Sequence, residues 1–131
     1  MIPKFREWDA EREKLFKGKG MSYGVRKDFD NSFAIEFEHM EDLDAINKDG
    51  SIDRVVMMST GLKDDFGNEL FEGDIFESRF SGIKYVVYWD DKLASFWIKG
   101  ETKTHPLYTL TPFHPRILGN IYENPELLED N

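Results

Sequence analysis

Apolar and polar residues alternate along much of this chain, and the alternation breaks at Gly, Asn and Asp. The clearest stretch runs from Gly73 to Gly100. Gly73-Asp74 signals a turn, Ile75 to Phe80 reads as a strand, and Ser81-Gly82 turns the chain back. Ile83, Tyr85, Val87 and Trp89 then alternate with Lys84, Val86, Tyr88 and Asp90, as in a strand buried on one face and largely covered on the other. Asp90-Asp91-Lys92 makes the next turn and Leu93 to Ile98 returns, which predicts an antiparallel meander. Upstream, Ser32 to Glu38 sets Phe33, Ile35 and Phe37 on one face of a strand. Ile52 to Thr60 predicts another strand around Val55-Val56-Met57-Met58.

Helical spacing is scarce. His39 to Lys48 suits one short helix, with Met40, Leu43 and Ile46 on a face and a stop at Asp49-Gly50. Asn124-Pro125 has the form of a helix start, Asn124 capping and Pro125 at the first helical position, but too few residues follow for more than a turn or two. The N-terminal segment reads two ways: Phe5, Trp8, Arg12, Leu15 and Phe16 fit an amphipathic helix, and Phe5 to Asp9 with Leu15-Phe16 fit a hairpin. Pro112-Phe113-His114-Pro115 is irregular by proline geometry, and Ile117 to Tyr122 is apolar enough to close a sheet. Short strands need their edges hidden. The pattern therefore predicts a mainly β fold, a small SH3-like or partly open barrel, with one short helix in the middle and a short C-terminal helical turn.

Composition narrows the class. The 131 residues fit one domain, and 40% hydrophobic with 33% charged residues is the balance of a folded chain. Cysteine is absent, which excludes disulfides, thiolate metal sites and thiol nucleophiles. The longest apolar run is far short of the ~20 residues that span a bilayer, and the charged start is unlike a signal peptide, so cytoplasmic residence is expected. The net charge is −9, distributed as +4 up to Lys27 and −13 beyond it. An acidic surface repels phosphate backbones and favours basic partners.

Three blocks resemble the YopX family. They are Lys4-Phe5-Arg6-Glu7-Trp8-Asp9, the run from Thr60-Gly61-Leu62-Lys63-Asp64 through Gly67 to Glu72-Gly73-Asp74-Ile75, and Gly119-Asn120-Ile121-Tyr122-Glu123-Asn124-Pro125. With Val87-Tyr88-Trp89-Asp90 they span the chain in the family's order. The resemblance implies a mainly β domain encoded by phages, prophages or mobile elements, with no assigned activity, acting in the bacterial host cytoplasm. It also tilts the N-terminal ambiguity toward a hairpin. The domain is then one unit over 1–131, with an N-terminal hairpin (1–20), a variable insert (21–52), a barrel core (53–122) and a C-terminal turn and tail (123–131). The family-motif residues, structural or interacting, are Phe5, Trp8, Asp9, Thr60, Gly61, Leu62, Asp64, Gly67, Glu72, Gly73, Asp74, Trp89, Gly119, Asn120, Tyr122 and Pro125.

The central block has a direct physical reading as a hairpin loop. Asp side chains accept local N–H bonds and Gly67 takes positive φ. Leu62, Leu70, Phe71 and Ile75 are expected to point inward, while Glu69, Glu72 and Asp74 stay wet. Catalytic signatures are missing. The carboxylates Asp64, Asp65, Glu69, Glu72 and Asp74 do not keep calcium-loop spacing. His39, His105 and His114 lack zinc spacing, and no nucleophile elbow or phosphate loop occurs. The sequence therefore predicts no enzyme, no cofactor and no metal. It points to a binding or assembly module with a protein partner or homo-oligomer. One alternative is an acidic decoy of a host nucleic-acid-binding protein. The other is weak nucleic-acid binding through Lys4, Arg6, Arg12, Lys14, Lys17, Lys19, Arg26 and Lys27.

Overall fold

The computed structural model describes residues 4–38 and 54–129. The helix expected over His39 to Lys48 lies outside the described residues, as do Ile52 and Asp53 of the expected strand. The chain divides into two compact units, Met1–Met58 and Ser59–Asn131. Its strands are short and antiparallel, as the alternation predicts, and form two five-stranded sheets. Neither sheet closes on itself as a barrel would. No helix among the described residues is long and apolar enough to cross a membrane.

In the first unit the N-terminal segment is part strand and part helix: Phe5 and Trp8 lie on a strand, and Leu15 ends a short helix instead of returning as the second strand of a hairpin. Strand β1 (Phe5–Asp9) pairs with β2 (Met21–Phe29), and helix α1 (Ala10–Leu15) occupies the connection. Asp9 ends the strand with extended backbone and caps the helix, its carboxylate accepting the Arg12 N–H at 3.0 Å. Strand β3 (Ser32–Phe37) continues from β2 through a two-residue turn at Asp30-Asn31. The first half of β4 (Arg54–Lys63) pairs with the other side of β1, Phe5 opposite Met58 and Asp9 opposite Arg54.

Charge, rather than oil, fills the space beneath α1. Arg12 has 0% exposure. Its guanidinium donates to the Lys19 carbonyl at 2.7 Å, the Gly20 carbonyl at 3.1 Å and the Glu7 carboxylate at 3.1 Å. Arg54 approaches Glu7 at 3.7 Å and Asp9 at 3.6 Å, so two buried carboxylates face two arginines. The turn into β2 is tied down by Glu13, which accepts the Gly18 and Gly20 N–H groups. Gly20 is required there, because a Cβ would lie 2.7 Å from both the Trp8 ring and the Glu13 Cβ.

In the second unit the rest of β4 pairs with β5 (Glu69–Phe71), with a bulge between Ser59 and Lys63. The meander expected from Gly73 to Gly100 is present as β6 (Asp74–Ser78), β7 (Lys84–Asp90) and β8 (Ser95–Lys99). Strand β10 (Pro115–Asn120) adds to the β6 side and β9 (Thr104–Pro106) to the β8 side. Two single 3₁₀ turns, Leu107–Thr109 and Thr111–Phe113, complete a core of Leu70, Phe76, Tyr85, Val87, Ile98, Leu107 and Leu110. The Tyr85 ring packs against Phe76 at 5.4 Å and against Phe113 at 5.2 Å.

Several side-chain expectations are corrected. Leu62 is 40% exposed instead of inward, because the bulge around Gly61 (φ +81°) breaks the alternation of faces before it. Asp74 is buried instead of wet, its carboxylate accepting the Phe71 N–H at 2.7 Å. Ile83, just before β7, and Trp89, near its end, are exposed while Tyr85 and Val87 between them are core. The C-terminal turn Pro125–Leu128 is 3₁₀, and Asn124 does not cap it. Its side chain instead accepts the Asn120 N–H at 3.3 Å.

Candidate interaction site

The β4–β5 hairpin loop is built on Asp64. One carboxylate oxygen accepts the Phe66 N–H at 3.0 Å and the Asn68 N–H at 2.8 Å. The other accepts the Asn68 side-chain amide at 3.3 Å and, from β10, the Ile117 N–H at 3.1 Å. Burial by itself would push this carboxyl up, but the hydrogen bonds from Ile117, Asn68 and Phe66 outweigh it and hold the group below its ordinary range. Gly67 closes the turn at φ +83°, a conformation that side chains with a Cβ resist.

With Asp64 turned inward, the next two residues are displayed. The Asp65 N–H donates to the Pro115 carbonyl at 3.0 Å. Its carboxylate accepts from Arg79 at 3.0 Å and meets His114 Nδ1 at 3.1 Å. Phe66 is 58% exposed and lies under the Arg79 guanidinium, 5.1 Å from the ring centre. Phe80 is 78% exposed and meets the His114 ring edge-on at 4.4 Å. The Arg79 N–H bonds the His114 carbonyl at 3.1 Å, and His114 itself sits at φ +49°. The result is a row of Phe66, Arg79, Asp65, His114 and Phe80, held from behind by the backbone. Asp65 also borders a cleft of about 300 Å³ lined by Leu62, Lys63, Tyr108, Thr111 and Pro115, where Tyr108 is 85% exposed.

Two exposed rings flanking a fixed Arg form a surface of the kind that anchors protein contacts. The carboxylate–imidazole pair resembles the orienting half of a hydrolytic triad. However, Asp65 is shared with Arg79, and among the described residues no hydroxyl or amine bonds the His114 ring. Nor do the described residues contain three metal-ligating groups in one place.

The remaining motif residues are dispersed. Thr60 donates to the Leu70 carbonyl at 2.8 Å and accepts the Leu62 N–H, and the Gly61 N–H bonds Ser59 Oγ. Gly73, at φ +88°, donates to the Val87 carbonyl at 2.8 Å and accepts from Ile121, and Glu72 beside it is half-buried. Asn120 accepts the Tyr122 and Glu123 N–H groups, so it builds the turn that leads to Pro125. Gly119 leaves room for the Asn124 side chain. Trp89 packs edge-on against Phe96 at 5.0 Å. In the first unit Asp9 belongs to the buried charge cluster, and Phe5 and Trp8 are half-buried on β1. Of the basic residues considered for nucleic acid, Arg6 and Arg12 are buried. Arg26 lies on the Phe33 ring at 4.2 Å, while Lys4, Lys14, Lys17, Lys19 and Lys27 are exposed.

Sequence reasoning did not reach Arg79, Phe80 and Tyr108. Arg79 is 14 residues from Asp65 and His114 is 49, separations at which no local pattern speaks. One signal was available: Phe66 stands in the middle of a polar turn, where an aromatic ring has no local reason to be.

The profile of the family described as YopX protein matches residues 4–129. Among curated proteins there is no match. A crystal structure of protein EF1440 from Enterococcus faecalis is similar over 98% of this chain and 99% of that one, with 27% identity and a TM-score of 0.56.

Proposed function

Since the chain belongs to the YopX family, a membership that brings no reaction with it, we propose that it is a non-enzymatic binding module that docks on another protein through the Phe66–Arg79–Phe80 surface. In this reading it acts in the cytoplasm of a bacterium carrying a phage or mobile element. The observation that carries it is the display of two aromatic rings, 58% and 78% exposed, by two neighbouring loops, one held through Asp65 to the Pro115 carbonyl and the other through Arg79 to the His114 carbonyl. A soluble domain has no folding reason to hold such rings in water; their energetic return comes when a partner covers them. Because the surface is already ordered, binding would lose little conformational freedom.

The net charge of −9 and the burial of Arg6 and Arg12 weigh against nucleic acid as that partner. The test is affinity capture from nuclease-treated bacterial lysate with the native chain and with the double variant Phe66→Ala/Phe80→Ala. The reading expects a protein captured in stoichiometric amount by the native chain and lost with the variant. Equal capture by both would move the docking surface elsewhere, and turnover of a substrate by the purified protein would end the non-enzymatic reading.

A further inference from the structure

Strand β3 is the last strand on its side of the sheet in the first unit; its pairing to β2 is known, and among the described residues nothing pairs with its other edge. Such edges are normally blunted by Lys, Pro, a bulge or a cover. Here the edge reads Ser32-Phe33-Ala34-Ile35-Glu36-Phe37, without any Lys, Pro or register break. Phe33 is 57% exposed. Phe33, Ile35 and Phe37 share one face, opposite Asp28, Arg26 and Gly24 of β2.

The hydrogen-bonding phase of the edge follows from the turn. The Glu38 N–H donates to the Tyr23 carbonyl at 3.0 Å, and the two-residue turn makes Phe29 and Ser32 a bonded pair. Even-numbered residues of β3 therefore point their backbone groups at β2. Phe33, Ile35 and Phe37 point theirs outward, toward the open edge.

We propose that this edge pairs antiparallel with the same strand of a second copy, extending the sheet across a two-fold axis at Ile35. In that register Ile35 lies opposite its own counterpart and Phe33 opposite Phe37 of the second copy. Every outward backbone group over the strand then meets a partner, since the bonded positions coincide on both sides. The same register lines up Phe33, Ile35 and Phe37 of the two copies as one continuous apolar stripe. On the opposite face Ala34 falls beside Glu36 of the second copy. The small Ala34 side chain leaves Glu36 facing across it to Lys27 of the other ribbon. Within one ribbon Lys27 and Glu36 already pair at 2.7 Å, so in the dimer each Glu36 stands between two lysines. Shifting the register by one residue would set the Phe face of one copy against the Glu36 face of the other and lose all of these matches.

The test is sedimentation equilibrium of the full chain over a range spanning about 1 to 100 μM, the usual reach of a modest association. The native chain is expected to dimerise. Ile35→Lys should weaken that association by at least about tenfold, because two lysines would meet at the axis. Ile35→Pro gives a second route: its N–H points away from β2, so the ribbon keeps its bonds while the dimer loses its central ones. Circular dichroism of each variant checks that the fold persists. Lys27→Glu should also weaken association, and Lys27→Glu/Glu36→Lys should restore it. A monomeric native chain, or a dimer untouched by both Ile35 substitutions, overturns the proposal. A dimer that dissolves with Phe80→Ala but not with Ile35→Lys also overturns it, and would leave the docking surface of the second unit engaged by a second copy.

Discussion

Asp64 shows how one side chain can organise a loop. Its carboxylate gathers hydrogen bonds from Phe66, Asn68 and Ile117, and leaving several buried donors unmet is costly. Asp64→Ala should destabilise the protein by roughly 1–3 kcal/mol in urea unfolding at pH 7. The pH dependence follows from the lowered folded-state value. The unfolded chain takes up its proton at higher pH than the folded one, so the contribution is present in full above the ordinary carboxylate range. It is lost as pH falls through the depressed folded value. The stability difference between native protein and Asp64→Ala should therefore shrink between neutral pH and strongly acidic solution; a constant difference would deny Asp64 this role. Gly67→Ala, at φ +83°, should cost about 1–2 kcal/mol by the same assay.

The residue scale also shows where sequence was sufficient. The Asp side chains and Gly67 of the central block were legible as turn chemistry because every interaction involved spans a few residues. Asp74 was not. Its burial depends on the Phe71 N–H within a tight Glu72-Gly73 turn, and charge alone argued for solvent. The contact from Asp64 to Ile117 spans 53 residues, and nothing in either segment announces the other.

At the scale of elements, α1 is too short to persist by propensity and owes its place to Arg12. That guanidinium bonds two carbonyls and Glu7 with no exposure to water. Arg12→Ala should destabilise by about 3–5 kcal/mol, since Glu7 would be left buried with Arg54, at 3.7 Å, as its remaining cation among the described residues. Arg12→Lys should recover little, because a single ammonium cannot serve three acceptors set in a fork. Thermal unfolding followed by far-ultraviolet circular dichroism separates these outcomes. Periodicity could not find this cluster. Glu7 and Asp9 on a strand look like a wet face, and only α1 folding back over them makes the face an interior. The same override explains why the N-terminal segment read equally as helix and hairpin: a strand over Phe5–Asp9 runs directly into a helix over Ala10–Leu15, and the strand that pairs with it starts only at Met21. By contrast the centre of the meander was legible, since Tyr85, Val87 and Ile98 alternate over a shared core.

For the whole molecule, the acidic balance governs what it approaches. With a net charge of −9 the chain should show no gel shift with single- or double-stranded DNA, even at low salt. A salt-sensitive shift would reopen the basic residues of the first unit. The two compact units, Met1–Met58 and Ser59–Asn131, are not marked by any linker-like composition. One strand, β4, runs through the boundary between them, which is why a reading by composition finds a single domain. The expectation of a partly open barrel came from the number of short strands and the need to hide edges; among the described residues the outer edge of β3 has no partner strand, and counting strands cannot tell which edges stay open.

The proposed docking surface draws its parts from distant places: Asp65 and Phe66 from one loop, Arg79 and Phe80 from another, and His114 from just before the last strand, with Ile117 anchoring the first loop from behind. A chain emerging from the ribosome presents these in order, and domains fold as their residues become available. The rings at 66 and 80 leave the ribosome long before the residues that arrange them. In the proposed reading, recognition would therefore wait until residues 114–117 have emerged. A fragment interrupted before Pro115 would have the first two blocks of the family motif and yet would lack the Pro115 carbonyl and Ile117 N–H that hold the proposed surface in place.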